Sequence, residues 1–291
     1  MKAGQDVGSQ LGWSVDLVLS NGSLDRPGWI ESPPLPFPMN SNYIPQILLL
    51  ASLASLQASA SIFLGSADPF GVLAGTSVTS TGTTVVNGDL GVYPGLSITG
   101  FPPGVVNGTV VAGGSVAQQA LADALAAYVS LGTEIPSQNL TGSDLGGLTL
   151  GSGVRKFDAA AQLTGILTLD GGGNSAARFD FLIGSTLTTS VASSIVLING
   201  ARADNVYWRV GTSTTLGVGS DFAGTVLADQ SVTVNSGAQV LGRVFAIQGT
   251  ASLDASSITV PSAIPEVESM LPIGGLCLVA GLMVRRSSKN R

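Results

Sequence analysis

Histidine is absent from this 291-residue chain, and the only cysteine is Cys277. The chain can form no disulfide within itself, and no zinc or Cys/His catalytic site can be built from it. Acid–base chemistry would fall to carboxylates, lysine or tyrosine. Charge is scarce as well: only 10% of residues are charged, and 12 basic residues against 18 acidic ones give a net charge of −6. Without a basic cluster, binding to a polyphosphate backbone is excluded as a main function, so no nucleic-acid partner is expected. Aromatics make up 5% of the chain. The mean hydropathy of +0.43 is high, yet no apolar run reaches the roughly 18–20 residues needed to cross a bilayer as a helix. High hydropathy without such a run points to many short, well-buried strands.

What the sequence does contain is glycine, 39 residues of it. The stretch Asn87-Gly88-Asp89-Leu90-Gly91-Val92-Tyr93-Pro94-Gly95, followed by Ile98-Thr99-Gly100-Phe101-Pro102-Pro103-Gly104, is too glycine-rich for a helix. It suits a backbone that turns sharply between short strands.

Both ends read as addresses. Residues 1–60 form a leader region, in which Pro33, Pro34, Pro36 and Pro38 crowd ahead of Met39. From Met39, the apolar run Ile47–Leu56 and the small residues Ala58-Ser59-Ala60 have the pattern of a secretory signal peptide, without a basic n-region. The expected start is Met39 with cleavage after Ala60; one long leader over residues 1–60 is the alternative, and either implies export. At the other end, residues 263–291 form a tail. Ile264-Pro265-Glu266-Val267 precedes an apolar run from Met270 to Val284 and then Arg285-Arg286. This tail resembles the bacterial sorting signal that begins Pro-Glu-Pro, with Val267 in the third place; a plain C-terminal anchor is the other reading. A secreted or envelope-associated bacterial protein is expected, touching membrane only through this tail.

Between the two lies one body, residues 61–262. Val116, Ala117, Ala120, Leu121, Ala124, Leu125, Tyr128 and Val129 recur at helical spacing, predicting a helix from Gly114 to Leu131. Ser115 is the expected N-cap and Gly132 the expected left-handed C-terminal glycine. The rest alternates strand and turn. Gly224-Thr225-Val226-Leu227-Ala228 aligns with Gly242-Arg243-Val244-Phe245-Ala246 at an offset of 18 residues, with Thr215 on Thr233 and Phe222 on Val240. A repeat near 18–20 residues with inward Val, Leu, Ile and Phe marks a solenoid, here a parallel β-helix of imperfect rungs. The segment from Ser77 to Val85 fits the same template but precedes the helix. Helix and rungs therefore share one core only if the chain leaves the solenoid and re-enters it.

Aligning Leu187, Leu216, Val234 and Leu253 as inward residues places Thr186, Thr215, Thr233, Ser252 and Ser77 on one outward line. A second line holds Thr188, Gly217, Asn235, Asp254 and Thr79, and outward turns follow at Thr81-Gly82-Thr83-Thr84, Ser193, Ser220 and Ser256. The candidate surface is Thr79, Thr81, Thr83, Thr186, Thr188, Ser190, Ser193, Thr215, Ser220, Thr233, Asn235, Ser236, Ser252 and Ser256: small, uncharged and, except for Asn235, hydroxyl-bearing. Arg202, Arg209 and Arg243 are expected on other faces, with Asp221 at the edge.

The glycine-rich stretch quoted above, Leu197-Ile198-Asn199-Gly200-Ala201 and Val206-Tyr207-Trp208 resemble the secreted ice-binding proteins of cold-living microorganisms over about 200 residues. The resemblance implies a mostly β, discontinuous, right-handed, triangular parallel β-helix with a long α-helix alongside. It further implies an antifreeze, non-enzymatic function without cofactors, with an ice surface as the partner of a monomer. Thr81-Gly82-Thr83-Thr84 matches a Thr-(Ala or Gly)-any-Thr pattern of the family's ice-binding faces. Two other functions stay open from the residues. β-Helices often host polysaccharide-cleaving sites, but Asp170, Asp180, Asp204, Asp221, Asp229 and Asp254 are scattered without recurring acidic partners. A cell-surface adhesin or matrix role shares the export evidence. Asp170-Gly171-Gly172-Gly173-Asn174 lacks the repeated pattern of calcium-binding β-rolls and reads as a loop.

Overall fold

The computed structural model of the protein describes residues 62–261; the leader over residues 1–60 and the tail over residues 263–291 lie outside these. Before the helix come β1 (Phe70–Ala74), β2 (Ser77–Thr81), β3 (Val85–Asn87), β4 (Asp89–Val92), β5 (Ser97–Thr99), β6 (Val105–Val106) and β7 (Val110–Ala112), then α1 (Gly114–Gly132). After it come β8 (Gln138–Asn139), β9 (Thr149–Gly151), β10 (Gly153–Phe157), β11 (Ala161–Leu163), β12 (Ile166–Asp170), β13 (Phe179–Ile183), β14 (Leu187–Thr189) and β15 (Ser194–Ile198). The last are β16 (Val206–Val210), β17 (Thr214–Leu216), β18 (Asp221–Ala228), β19 (Val232–Val234), β20 (Gln239–Ala246), β21 (Thr250–Asp254) and β22 (Ser257–Thr259).

All pairings between these strands are parallel and sort into three ribbons, making a three-sided β-helix. One face is an unbroken seven-strand sheet in the order β11-β14-β17-β19-β21-β2-β5. A second runs β8-β10-β13-β16 and continues through the C-terminal halves of β18 and β20 to β1, β4 and β7. The third carries β9, β12, β15, the N-terminal halves of β18 and β20, then β22, β3 and β6. The long strands β18 and β20 bend between faces at Gly224 and Gly242, both at positive φ. These are the glycines of the 18-residue repeat, and the predicted register holds: Gly224 pairs with Gly242, Phe222 with Val240, and Thr215 with Thr233. A Cβ on Gly242 would lie 1.9 Å from the Gly224 carbonyl oxygen, so only glycine fits.

The predicted exit and re-entry is present. β1, β2 and β3 stack on β20, β21 and β22, joining residues some 173 positions apart. β4–β7 extend the stack, and α1 then leads from β7 to β8, which lies at the far end of the sheet order. The helix covers the second face by close approach of alanines: Ala117, Ala120, Ala124, Ala127 and Leu131 are buried. All but Ala117 share a cluster with Phe70, Leu73, Leu182, Leu227 and Phe245.

Three helix details differ from the sequence reading. Val116, Leu125 and Val129 are exposed, because the narrow alanine stripe, rather than the bulkier residues, lets the helix sit close to the sheet. The N-cap is Gly113, with no side-chain cap from Ser115. Gly132 ends the helix without a left-handed φ, and Thr133 is the C-cap in right-handed geometry. Its small size serves packing instead: a Cβ there would meet the Arg209 guanidinium at 3.0 Å. That guanidinium lies 4.1 Å from the Tyr128 ring centroid, and Arg209 Nε donates to the Tyr128 carbonyl at 3.0 Å.

The interior is a column of Val, Leu, Ile and Phe that also holds the fully buried Trp208. The Trp208 ring stacks on Phe181 at 3.9 Å, and its Nε1–H donates to the Ala223 carbonyl at 3.0 Å. That carbonyl lies where the third face opens, for β15 and β18 pair only through Ser194 and Asp221. The third face is thus interrupted, and the second is covered by the helix.

Candidate functional site

Among the described residues, the seven-strand face is therefore the one side of the solenoid that is both uncovered and continuous. Its inward residues fall in one line: Ala161, Leu187, Thr214, Val232, Ala251, Val78 and Ile98. Alternation along each strand then dictates the outward lines. The central one is Gln162, Thr188, Thr215, Thr233, Ser252, Thr79 and Thr99. Two residues earlier on each strand, Thr186, Ser213, Ser231, Thr250, Ser77 and Ser97 make a parallel line. Its register is fixed by the Ser77–Thr250 and Ser77–Ser97 pairs and by backbone bonds from Leu187 to Ser213 and from Thr214 to Ser231. Six successive strands thus present hydroxyl, inward residue, hydroxyl. Neighbouring rungs are about 4.8 Å apart, and alternate residues along a strand about 6.7 Å apart.

Parity of the sequence alignment was right, but its register slipped by two residues at two rungs. Leu187 aligns with Thr214 rather than Leu216, and Val78 with Ala251 rather than Leu253. Thr188 and Thr79, not Thr186 and Ser77, accordingly share the line of Thr215, Thr233 and Ser252. Both residues of each pair remain outward, because a shift of two preserves the face. The sequence reading missed Ser97, Thr99, Ser213, Ser231 and Thr250. The signal was present as a hydroxyl–X–hydroxyl triplet: Ser97-Ile98-Thr99, Ser77-Val78-Thr79, Thr250-Ala251-Ser252, Ser231-Val232-Thr233, Ser213-Thr214-Thr215 and Thr186-Leu187-Thr188.

The corner after this face holds a clear correction. Ser193, Ser220 and Ser256, expected outward, are buried at 1–3% exposure together with Thr84 and Ala238. They form an inward corner line, linked by backbone bonds from Asp221 to Ser193, Gln239 to Ser220, Ser257 to Ala238 and Val85 to Ser256. Small residues are required there because the chain reverses over them. Ser193 N, Ser220 N and Ala238 N bond back to Ser190, Gly217 and Asn235, with left-handed Ala192, Gly219 and Gly237 between. Ser190, Asn235, Ser236, Thr81 and Thr83 sit at the rim of the face, and Thr81 and Thr83 are exposed. Asp221 lies past the corner on the third face rather than at the rim; the carboxylate at the rim is Asp254, opposite Thr81.

Where the two parts of the chain meet on this face, side chains bridge them. Ser77 Oγ and Thr250 Oγ1 are 3.0 Å apart, Thr79 Oγ1 donates to Ser252 Oγ at 3.4 Å, and Thr81 Oγ1 donates to Asp254 Oδ1 at 2.7 Å. No lysine or arginine occupies the two outward lines.

Charged groups gather on the helix-covered side. Arg178 bridges Asp180 and Glu134, and Arg243 pairs with Asp68 at 2.6 Å. Burial pushes the Asp180 carboxyl up to about 6, against the pull of Arg178. Burial likewise pushes the Tyr207 hydroxyl up to about 12. Glu134, Arg178, Asp180, Ser152 and Asn174 line a recess of about 400 Å³, but its charges are committed to one another. Among the described residues no group of three or more His, Cys, Asp or Glu side chains could hold a metal. Arg209 and Arg243 lie on the helix-covered face, and Arg202 pairs with Asp204 in the loop before β16.

Comparison with known proteins agrees with this geometry. Residues 72–259 match the family described as Ice-binding-like. An ice-binding protein of Nostoc sp. (strain HG1) is 45% identical over 253 residues, covering 82% of this chain and 94% of the relative. The crystal structure of an ice-binding protein from the Antarctic ascomycete Antarctomyces psychrotrophicus superposes with a TM-score of 0.67 at 40% identity, over 69% of this chain and 98% of that one. The ice-binding domain of a Shewanella frigidimarina protein gives a TM-score of 0.63 at 34% identity, over 69% and 97% respectively. With two thirds of its length matched, and rungs, seam and lateral helix in place, the chain belongs to the Ice-binding-like family.

Proposed function

We propose that the protein binds ice through the seven-strand face and thereby restrains ice growth and recrystallisation. The observation that carries the reading is the hydroxyl–X–hydroxyl triplet repeated on six adjacent strands of a face that is continuous and, among the described residues, uncovered. Threonine brings a methyl and a hydroxyl on a β-branched stem, so its χ1 is restricted before binding and little rotamer entropy is lost. Repeated along two directions, these groups order surface water into a layer that merges with the crystal. Each contact is weak; a rigid array of them acts together. Ice then advances only as curved fronts between adsorbed molecules, which lowers the freezing point.

A non-catalytic role follows from the same chemistry, since the face offers neither nucleophile–base pairs nor clustered carboxylates. Ice is the partner, the protein acts as a monomer, and neither nucleic acid nor cofactor takes part. Partition of the purified protein into a growing ice hemisphere tests this, with thermal hysteresis by nanolitre osmometry beside it. Exclusion from the ice would sink the reading and leave a surface adhesin in its place. We further infer export to the cell envelope. N-terminal sequencing of the protein from envelope and medium fractions should read from Ser61; a cytoplasmic protein beginning at Met1 would refute it.

A further inference from the structure

Beyond the two hydroxyl lines, five adjacent strands of the proposed face, β14, β17, β19, β21 and β2, carry one more position before the corner. Ser190, Gly217, Asn235, Asp254 and Thr81 occupy it on consecutive rungs. This third line holds Gly217 and Asn235, which lack hydroxyls, and one charge: the exposed Asp254, fourth of the five. Among the described residues no lysine or arginine forms an ion pair with it. Its contact is Thr81, whose hydroxyl donates to Asp254 Oδ1 at 2.7 Å. That hydroxyl proton is directed along the surface into the carboxylate instead of toward water. The Asn235 side chain is also engaged within the protein, its Nδ2 donating to the Leu216 carbonyl of the neighbouring rung at 2.7 Å.

We infer that Asp254 is the specificity-determining boundary of the ice-contacting plane, confining it to two hydroxyl lines; the inference rests on the ice-binding reading above. A carboxylate holds its first water shell by strong charge-assisted hydrogen bonds, and ice has no lattice site for the charge. Water around Asp254 is therefore oriented radially toward its oxygens, against the planar order that the threonines impose. The disturbance falls between Asn235 and Thr81, so the whole third line is withdrawn from contact. Asp221, also exposed, lies past the corner on the interrupted third face and has no such effect.

The test compares the full chain with Asp254→Asn, Asp254→Thr and the control Asp221→Asn, by thermal hysteresis at equal concentration. Asp254→Asn keeps the oxygen that accepts the Thr81 bond and removes only the charge, so the bridge between β2 and β21 is retained. A third line about 6.7 Å beyond the second widens the plane by roughly half. Hysteresis is expected to rise at least about 1.5-fold in both Asp254 variants and to stay unchanged in Asp221→Asn, with all melting temperatures equal. Unchanged or lower hysteresis in Asp254→Asn, at an unaltered melting temperature, overturns the inference while the ice-binding reading stands. A gain in Asp221→Asn as large as that in Asp254→Asn also overturns it, by making net charge rather than position the cause. A parent chain without hysteresis overturns the ice-binding reading and this inference with it.

Discussion

Thr215 is the third of seven residues in the central outward line, with Thr188 on one side and Thr233 on the other. Replacing it by tyrosine perturbs the interior of the array without entering the core, because its neighbours Thr214 and Leu216 face inward. The phenol ring projects several ångströms beyond the threonine methyls, more than the roughly 4.8 Å rung spacing. A planar crystal front can then touch the ring or the flanking rungs, but not both at once. The seven-strand face, about 29 Å across its rungs, is cut at its third strand into pieces of about 10 and about 19 Å. Adsorption that depends on many simultaneous weak contacts is expected to lose most of its hysteresis, at least about four fifths, since neither piece retains the avidity of the whole. Folding stability should move by no more than about 0.5 kcal/mol, as for an ordinary surface change. The assay is nanolitre osmometry on parent and variant, with circular dichroism and a melting curve to show an equal fold. Gln118→Tyr, on the exposed side of α1, serves as the control for bulk. Equal hysteresis in Thr215→Tyr and parent would refute the assignment of the seven-strand face.

Two further outcomes concern stability. Gly242→Ala should destabilise the fold by more than about 3 kcal/mol in urea unfolding, because the new Cβ would fall 1.9 Å from the Gly224 carbonyl oxygen; a loss below about 1 kcal/mol would mean that the bend between faces yields easily. The second concerns pH. Asp180 titrates near 6 in the fold against 3.8 ordinarily, so its protonated form is the one that folding favours. Its contribution, on the order of 3 kcal/mol, is present below pH about 3.8 and lost as pH rises through about 6. Asp144 is shifted the other way, held below its ordinary range by bonds from Thr164 and Gly146 despite partial burial, so it loses stability only at lower pH. Between pH 4 and 6, unfolding free energy should therefore fall in the parent and stay nearly flat in Asp180→Asn; equal slopes would refute the assignment.

Much of this architecture was legible in the chain because solenoids are written locally. Gly224 and Gly242 recur at the interval of one rung, and inward Phe222 and Val240 follow the same interval, so one alignment fixed two rungs and their pairing. The helix was legible from its spacing, but its buried stripe was not. Periodicity marks Val116, Leu125 and Val129 as well as the alanines, and only contact with the sheet decides that the small residues go inward. The corner serines show the same limit. Ser193, Ser220 and Ser256 have the composition of a surface, yet a corner that reverses the chain needs small residues inside.

By itself, then, the sequence determined the repeat, the parallel β-helix, the excursion of the helix and the hydroxyl-rich character of one side. Alternation and glycine bends act over a few residues and leave direct marks. The tertiary structure decided which face is free and continuous. That outcome depends on α1 covering one side and on β15 parting from β18 near Trp208 on another. It also decided the register across the seam, where Ser77, Thr79 and Thr81 meet Thr250, Ser252 and Asp254. These residues are 173 positions apart, and no local pattern measures such a distance: a slip of two residues preserves every inward and outward assignment, and only packing of the whole stack selects between the registers.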